Sequence, residues 1–253
     1  MKEIKGKFLE AFKSGNLLDL SDPEQVKAFF HCMDKYSEII AEFKGRERVL
    51  DVGCAGGIML TLLSLLGHDC YGVDFVDCKT QYPFAFEKHG IEFSICNIEV
   101  DNLPFPDNFF DAVSCGQCLE HFTHSPKHAM SEFRRVLKPG GLVEIDLPNV
   151  ACFRNRSRLI RGKNITWDFE SAYLDAKAIS YNSMSFFPLR HNREYTLHEL
   201  EILLERSEFV SIKTRFMKSR RLRRGLGNFL SVGSALRDLV PSFRKSIIGL
   251  GLK

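Results

Sequence analysis

Four features of this chain combine residue type and spacing in ways that can do chemistry. The first is Gly53-Cys-Ala-Gly-Gly57, which follows the apolar run ending in Asp51-Val52 and precedes Ile58 to Leu66. A strand that turns on glycines into a helix exposes backbone N–H groups and lets a ligand approach the chain closely. The second is Asp74, 21 positions beyond Gly53, closing the next apolar run; a carboxylate there can accept hydrogen bonds from both hydroxyls of a ribose. The third is the pair His121 and His191, whose side-chain type titrates near neutral pH and so suits proton transfer. The fourth is Cys115-Gly-Gln-Cys118 with His121 and His124, four potential zinc ligands within ten residues. Zinc sites normally separate their ligand pairs by a long loop, so this set is strained as a four-ligand site, and the sequence is read as holding no metal.

The glycine turn admits two ligands. A dinucleotide site wants Gly-x-Gly-x-x-Gly, and Gly53 to Gly57 miss that register, which weakens a pyrophosphate cradle. What remains is a nucleoside-bearing ligand that needs close backbone approach without a pyrophosphate.

Elements that would position these residues alternate regularly. Ile4, Phe8, Leu9 and Phe12 share one helical face, and Ser21-Asp-Pro-Glu24 has capping-box spacing before a second amphipathic helix reaching Ile40. These two helices, residues 1–44, are expected to pack against a sheet edge, a role favoured over direct substrate contact for Phe30, His31 or Tyr36. Strands are expected at 49–52, 69–74, 91–96, 112–115 and 142–147. Helices at 58–66, near 82–89 (interrupted by Pro83) and after Ser125-Pro126 fall between them. Alternation of this kind implies a parallel sheet with helices on both faces and a ligand crevice at the strands' C-terminal ends. Residues 150–195, rich in arginine and aromatics, interrupt the rhythm and read as an insertion covering the crevice. Thr196-Leu-His-Glu199 is a second capping box, and strands at 209–217 and 246–252 bring the total to seven. The expected fold class is α/β, a Rossmann-like, seven-stranded, mostly parallel sheet, with residues 45–253 as its domain.

At 253 residues and 44% hydrophobic content the chain can bury a full core. No apolar stretch approaches the ~18 to 20 residues of a spanning helix, and the first residues are amphipathic and charged, so a cytoplasmic protein is expected. Eight scattered cysteines read as reduced thiols. The net charge of +3 hides a run of seven basic residues from Lys213 to Arg224 with no acid among them, which leaves the remainder acidic. Such a run is a solvated face or a peripheral contact with anionic membrane. Nucleic acid is not expected as a partner, because no RNA-binding module flanks the core.

Five segments resemble the class I S-adenosylmethionine-dependent methyltransferases in order and spacing: Val49 to Gly57, Gly72-Val-Asp74, Leu103 to Asp111, Leu119-Glu-His121, and Arg134 to Gly141. Leu147-Pro-Asn-Val150 and His191 to Leu200 further resemble a subgroup associated with bacterial and archaeal cell-surface sugar or glycolipid biosynthesis. The resemblance implies S-adenosylmethionine as cofactor. Asp51, Gly53, Cys54, Ala55 and Gly57 would form the loop against its methionine part, and Asp74, with Phe75 beside it, would hold the ribose. Asn97 and Ile98 would flank the adenine, and Cys115 would line the sulfonium side. Ala55 replaces the family's middle glycine, tolerable if its φ is negative; Asn97 replaces a frequent aspartate, keeping an acceptor.

Methyl transfer from a sulfonium is an in-line displacement that needs alignment and, for a hydroxyl acceptor, removal of a proton. His121 and His191 are the candidate bases. His121 could equally serve a helix start, and His191 with Arg193 and Tyr195 could anchor the insertion. The expected activity is O-methylation of a small-molecule or carbohydrate-like acceptor. An RNA or protein methyltransferase and a non-catalytic cofactor-binding regulator are the alternatives.

Overall fold

A computed structural model describes residues 2–17, 21–166, 169–217 and 239–253. Seven strands form one sheet. In chain order they are β1 (Arg48–Val52), β2 (Asp69–Asp74), β3 (Glu92–Ile95), β4 (Phe110–Gly116) and β5 (Leu137–Pro148), then, beyond a small hairpin of β6 (Ile179–Tyr181) and β7 (Met184–Phe186), β8 (Val210–Phe216) and β9 (Ser246–Leu252). The order across the sheet is β3-β2-β1-β4-β5-β9-β8. The first five are parallel, while β9 runs antiparallel to both β5 and β8. The order reverses between β1 and β4, the switch point at which open α/β sheets bind ligands.

Helices cover both faces. On one lie α1 (Lys2–Lys13), α2 (Pro23–Ile40) and α3 (Ile58–Ser64), with the short α4 (Cys78–Gln81) and α5 (Pro83–Lys88) at its margin. Phe8, Phe29, Met33 and Phe43 join Leu60, Leu62 and Leu63 there over the sheet residues Val49, Ala112, Leu142 and Ile248. The opposite face buries α6 (Lys127–Val136) and α8 (Leu197–Arg206) over Leu50, Val113, Val143 and Ile145. Strand alternation explains the split, since neighbours such as Val49 and Leu50 point to opposite faces.

Two local signals act one residue away from where spacing places them. Asp22, not Ser21, starts α2: its Oδ1 accepts the Glu24 N–H at 3.0 Å. Pro83 opens α5 rather than breaking a longer helix, because its fixed φ suits a first helical position. The box at Thr196 and Glu199 is reciprocal, each side chain bonded to the other's backbone N–H. The insertion is not structureless: it contains α7 (Phe153–Ile160), a π-helical turn at Glu170–Leu174 and the β6–β7 hairpin.

Polar residues break the apolar pattern on the α2 face. Asp51, Ser114, Glu144 and Asp146 are all buried. Lys35 reaches down from α2 to place Nζ 2.9 Å from Asp146 Oδ1, and Ser114 Oγ donates to Glu144 Oε2 at 2.6 Å. Of the basic run, Arg215 is committed to Glu38 and Glu42 of α2 and Lys213 is exposed. Residues 218–224 lie outside the described residues, as does Trp167 of the insertion. No helix among the described residues is long and apolar enough to cross a membrane.

Removing one partner of a buried ion pair strands the other charge. Lys35→Met is expected to cost about 3 kcal/mol in urea unfolding, whereas Lys27→Met, whose exposed ammonium lies 3.4 Å from Glu24, should change stability by less than about 0.5 kcal/mol.

Candidate active site

The turn after β1 is held from beneath by β2. The Val73 carbonyl accepts the N–H groups of both Gly53 and Cys54, at 2.9 and 3.2 Å, and the Gly57 N–H goes to the Cys54 carbonyl. These three donors are therefore spent inside the turn, which removes the anion cradle a dinucleotide would need. Asp74 completes the clasp. Its Oδ2 accepts the Ala55 N–H at 3.0 Å and its Oδ1 the Val76 N–H at 3.2 Å, so the carboxylate is fixed at the strand end while each oxygen retains a lone pair for a ligand.

A cavity of about 230 Å³ opens above this clasp at the C-terminal ends of β1 to β4. Of the residues the sequence pointed to, Gly53, Ala55, Asp74, Phe75, Asn97, Ile98 and His121 line it; Asp51, Cys54, Gly57, Cys115 and His191 do not. Cys115 is wholly buried in the apolar core against α6, and the wall expected of it is formed by Gln117 and Cys118 instead. Cys54 turns inward toward Gly72, and Gly57 packs on Phe86. Asp51 stands on the α2 face with only 6% exposure. Ala55 does not meet the condition of a negative φ: its φ is +44°, a conformation that costs an L-residue about 1–2 kcal/mol.

The cavity fits the nucleoside end of S-adenosylmethionine. Asn97 is 5% exposed, and its Nδ2 has no hydrogen-bond partner among the described residues, a costly state unless a ligand acceptor meets it. Its Oδ1 accepts the Glu99 N–H of its own loop at 3.3 Å. What Asn97 offers is thus a donor rather than the acceptor expected from its replacing an aspartate. Gly53 has φ +76°, and a Cβ there would lie 2.7 Å from Cys118 Sγ across the cavity floor. Phe186 of β7 and Phe75 form the apolar roof, their ring centres 5.9 Å apart. Tyr181 holds this hairpin down by donating to Asp101 Oδ2 at 2.6 Å.

The second group of residues meets at the cavity's other end. After β4 the chain makes one 3₁₀ turn, Leu119–His121, and the returning insertion is stitched to it. The Glu120 carbonyl accepts the N–H groups of Asn192 and Arg193 at 2.7 and 3.2 Å, and Asn192 Nδ2 donates to the His121 carbonyl at 2.7 Å. This brings His191 edge-on to His121, ring centres 4.9 Å apart. His121 Nδ1 lies 3.1 Å from the Arg190 carbonyl, and His191 Nδ1 lies 3.1 Å from Glu194 Oε1. Burial, with His191 nearby, lowers the His121 pKa; the bond to Glu194, reinforced by Glu120, raises that of His191. Arg193 and Tyr195 anchor the insertion: Arg193 bonds Glu199 at 2.6 Å and Tyr195 is buried.

Glu120, next to His121 in sequence and close to both histidines in space, carried no signal of its own, since an acid in a turn is ordinary. Its side chain is 1% exposed and Oε2 is without a partner among the described residues. Burial pushes its carboxyl up to about 7 and does the same for Asp51. The set of Cys115, Cys118, His121 and His124 does not converge as a whole: Cys115 and Cys118 hydrogen-bond each other, whereas His124 Nδ1 lies 3.2 Å from Glu99.

A model described as a methyltransferase domain matches residues 25–214. A probable methyltransferase of Arabidopsis thaliana is 31% identical over 166 residues, 62% of this chain and 26% of that protein. A ubiquinone biosynthesis O-methyltransferase of Alkalilimnicola ehrlichii is 33% identical over 114 residues, 44% of this chain and 45% of that one. The chain thus spans less than half the length of either relative. Among solved structures, a SAM-dependent methyltransferase from Archaeoglobus fulgidus has a TM-score of 0.58 at 18% identity, covering 97% of this chain and 99% of that one. A 1,6-didemethyltoxoflavin-N1-methyltransferase from Burkholderia thailandensis, solved with S-adenosylhomocysteine, has 0.54 at 17%, covering 99% and 87%. At those identities the likeness is one of fold.

Three outcomes follow from the geometry. Gly53→Val should abolish S-adenosylhomocysteine binding in calorimetry, because a β-branched residue is strained at φ +76° and its Cβ meets Cys118. Ala55→Gly relieves about 1–2 kcal/mol of strain against about 0.5–1 kcal/mol of backbone entropy, so its melting temperature should rise slightly with affinity unchanged or improved. Asp51 and Glu120 bind protons more tightly folded than unfolded. Stability should therefore fall as pH rises from about 4, their unfolded range, through about 7; thermal melts of Asp51→Asn and Glu120→Gln should show a flatter decline. With the switch-point cavity, the orphan donor of Asn97 and a family model spanning 25–214 in agreement, the chain belongs to the methyltransferase-domain family and carries the class I, S-adenosylmethionine-dependent fold.

Proposed function

We propose that this protein transfers a methyl group to a hydroxyl oxygen of a small-molecule or carbohydrate-like acceptor, under cover of residues 150–195. The carrying observation is the meeting of His121, on the cavity wall, with Glu120 and with His191 from the covering segment. S-adenosylmethionine supplies, when bound, a methyl on a sulfonium that needs no further activation. The protein's share is then orientation and proton removal. Asp74 and Asn97 would hold the nucleoside, and the turn Gly53–Ala55 the chain leading to sulfur. Because His121 Nδ1 faces a carbonyl, that nitrogen carries the hydrogen, which leaves the Nε2 lone pair for the acceptor side.

As the oxygen–carbon bond forms and the carbon–sulfur bond breaks, the bond pair leaves with sulfur and the hydroxyl proton departs to the histidine–glutamate cluster. Oxygen as the acceptor atom is supported by this cluster, since a hydroxyl must lose a proton, and by the name of the ubiquinone-pathway relative, an O-methyltransferase. A sugar or glycolipid acceptor is supported by the resemblance of Leu147 to Val150 and His191 to Leu200 to the cell-surface subgroup.

Formation of S-adenosylhomocysteine should appear with a panel of hydroxylated small molecules and sugars. Glu120→Gln and His121→Ala should each cut kcat by roughly 10²–10⁴-fold while leaving S-adenosylhomocysteine affinity within about twofold. Undiminished turnover in both variants would remove the cluster from the reaction.

A further inference from the structure

We propose that Glu120, His121 and His191 form a three-ligand site for a divalent first-row transition metal at the acceptor end of the cavity. One ligand atom from each residue already lies within 4.8 Å of the other two. The set is two imidazoles and one carboxylate on a short turn and the segment laced to it, leaving coordination positions open. Drawing the three in by roughly 1 Å would reach ordinary metal–ligand distances.

The surroundings match a metal site independently of that proximity. Each histidine has Nδ1 engaged by a protein acceptor, the Arg190 carbonyl for His121 and the Glu194 carboxylate for His191. This is the outer-shell arrangement that fixes imidazole orientation and directs Nε2 to a metal. Glu194 is itself braced by Asn155 Nδ2 at 3.1 Å. Glu120 supplies a buried carboxylate oxygen with no partner among the described residues, and such an atom needs a proton or a cation. Asp146, paired with Lys35, acts on Glu120 from the α2 side, and Arg154 acts on His191 from the insertion side. Two nitrogen ligands favour a transition metal over magnesium or calcium.

This inference rests on the methyl-transfer reading and replaces its proton step, the cluster acting through a metal instead of as the base. An acceptor hydroxyl bound at an open position would have its O–H acidified by the metal, so that the histidines ligate and the proton leaves to solvent.

Cobalt(II) added to the purified full chain is a direct probe, because its visible bands report nitrogen and oxygen ligands and its near-ultraviolet charge transfer reports thiolate. One equivalent should bind without the thiolate band. Glu120→Gln and His191→Gln should abolish the bands, Glu194→Gln should weaken binding by roughly 10-fold or more, and His198→Ala, outside the set, should bind as wild type. S-adenosylhomocysteine binding of each variant, measured without metal, verifies folding. The inference is overturned by absence of stoichiometric binding, by binding retained in both Glu120→Gln and His191→Gln, or by a thiolate band lost in Cys118→Ser. Turnover that persists after chelation would sink the metal and spare the methyltransferase reading; cobalt binding with no turnover on any hydroxyl acceptor would do the reverse.

Discussion

The Asp74 carboxylate is the constraint on which the site rests. By accepting the Ala55 and Val76 N–H groups it ties the tip of the β1 turn to the end of β2, and the Val73 carbonyl takes the turn's first two donors. A turn this tight needs left-handed backbone at Gly53 and Ala55. The alanine there is held against its preference by the same hydrogen bond. Strain of this sort persists where surrounding structure over-determines it, and here it lies on the floor of the cavity. Spent donors also explain selectivity: the turn can pass close beneath a ligand but offers little to a pyrophosphate.

A second constraint governs the far end. Among the described residues the insertion has few buried apolar side chains, and it docks through the polar stitch of Asn192 and Arg193 onto the turn of Glu120 and His121. That stitch converts two histidines seventy positions apart in sequence into neighbours. It also buries Glu120 against them, with consequences for charge. On the α2 side, Lys35 plays the corresponding part for Asp146, so the N-terminal helices contribute an ion pair beneath the site as well as apolar cover.

Much of the sheet was legible because its signals are local and repeated. Apolar runs of β length alternate with helical periodicity from Val49 to Leu147, and the box at Thr196 and Glu199 announces α8 unambiguously. The lining of the cavity by Gly53, Asp74 and Asn97 was legible for the same reason: they stand at strand ends, where topology alone gathers them. Cys115 shows the limit of that logic, since a strand residue's face depends on parity, and parity sends it into the core while Cys118 reaches the cavity. The φ of Ala55 stayed open in the sequence because a side chain at a left-handed position leaves no trace there. Phe186 and Glu120 were missed because their roles arise from the fold-back of a segment without periodic pattern, and Gln117 because its place in the wall follows from a left-handed φ of +52° just after β4. The extent of helix and hairpin in that segment was hidden likewise, as its short elements are fixed by contacts such as Tyr181 with Asp101.

The most direct test of the whole arrangement is a crystal structure with S-adenosylhomocysteine bound. Both ribose hydroxyls should lie within hydrogen-bonding distance of the Asp74 carboxylate, an adenine nitrogen should meet Asn97 Nδ2, and the sulfur should face the side where His121 stands. A ligand seated elsewhere, with Asp74 far from the ribose and Asn97 still unpartnered, would contradict the assignment of this cavity.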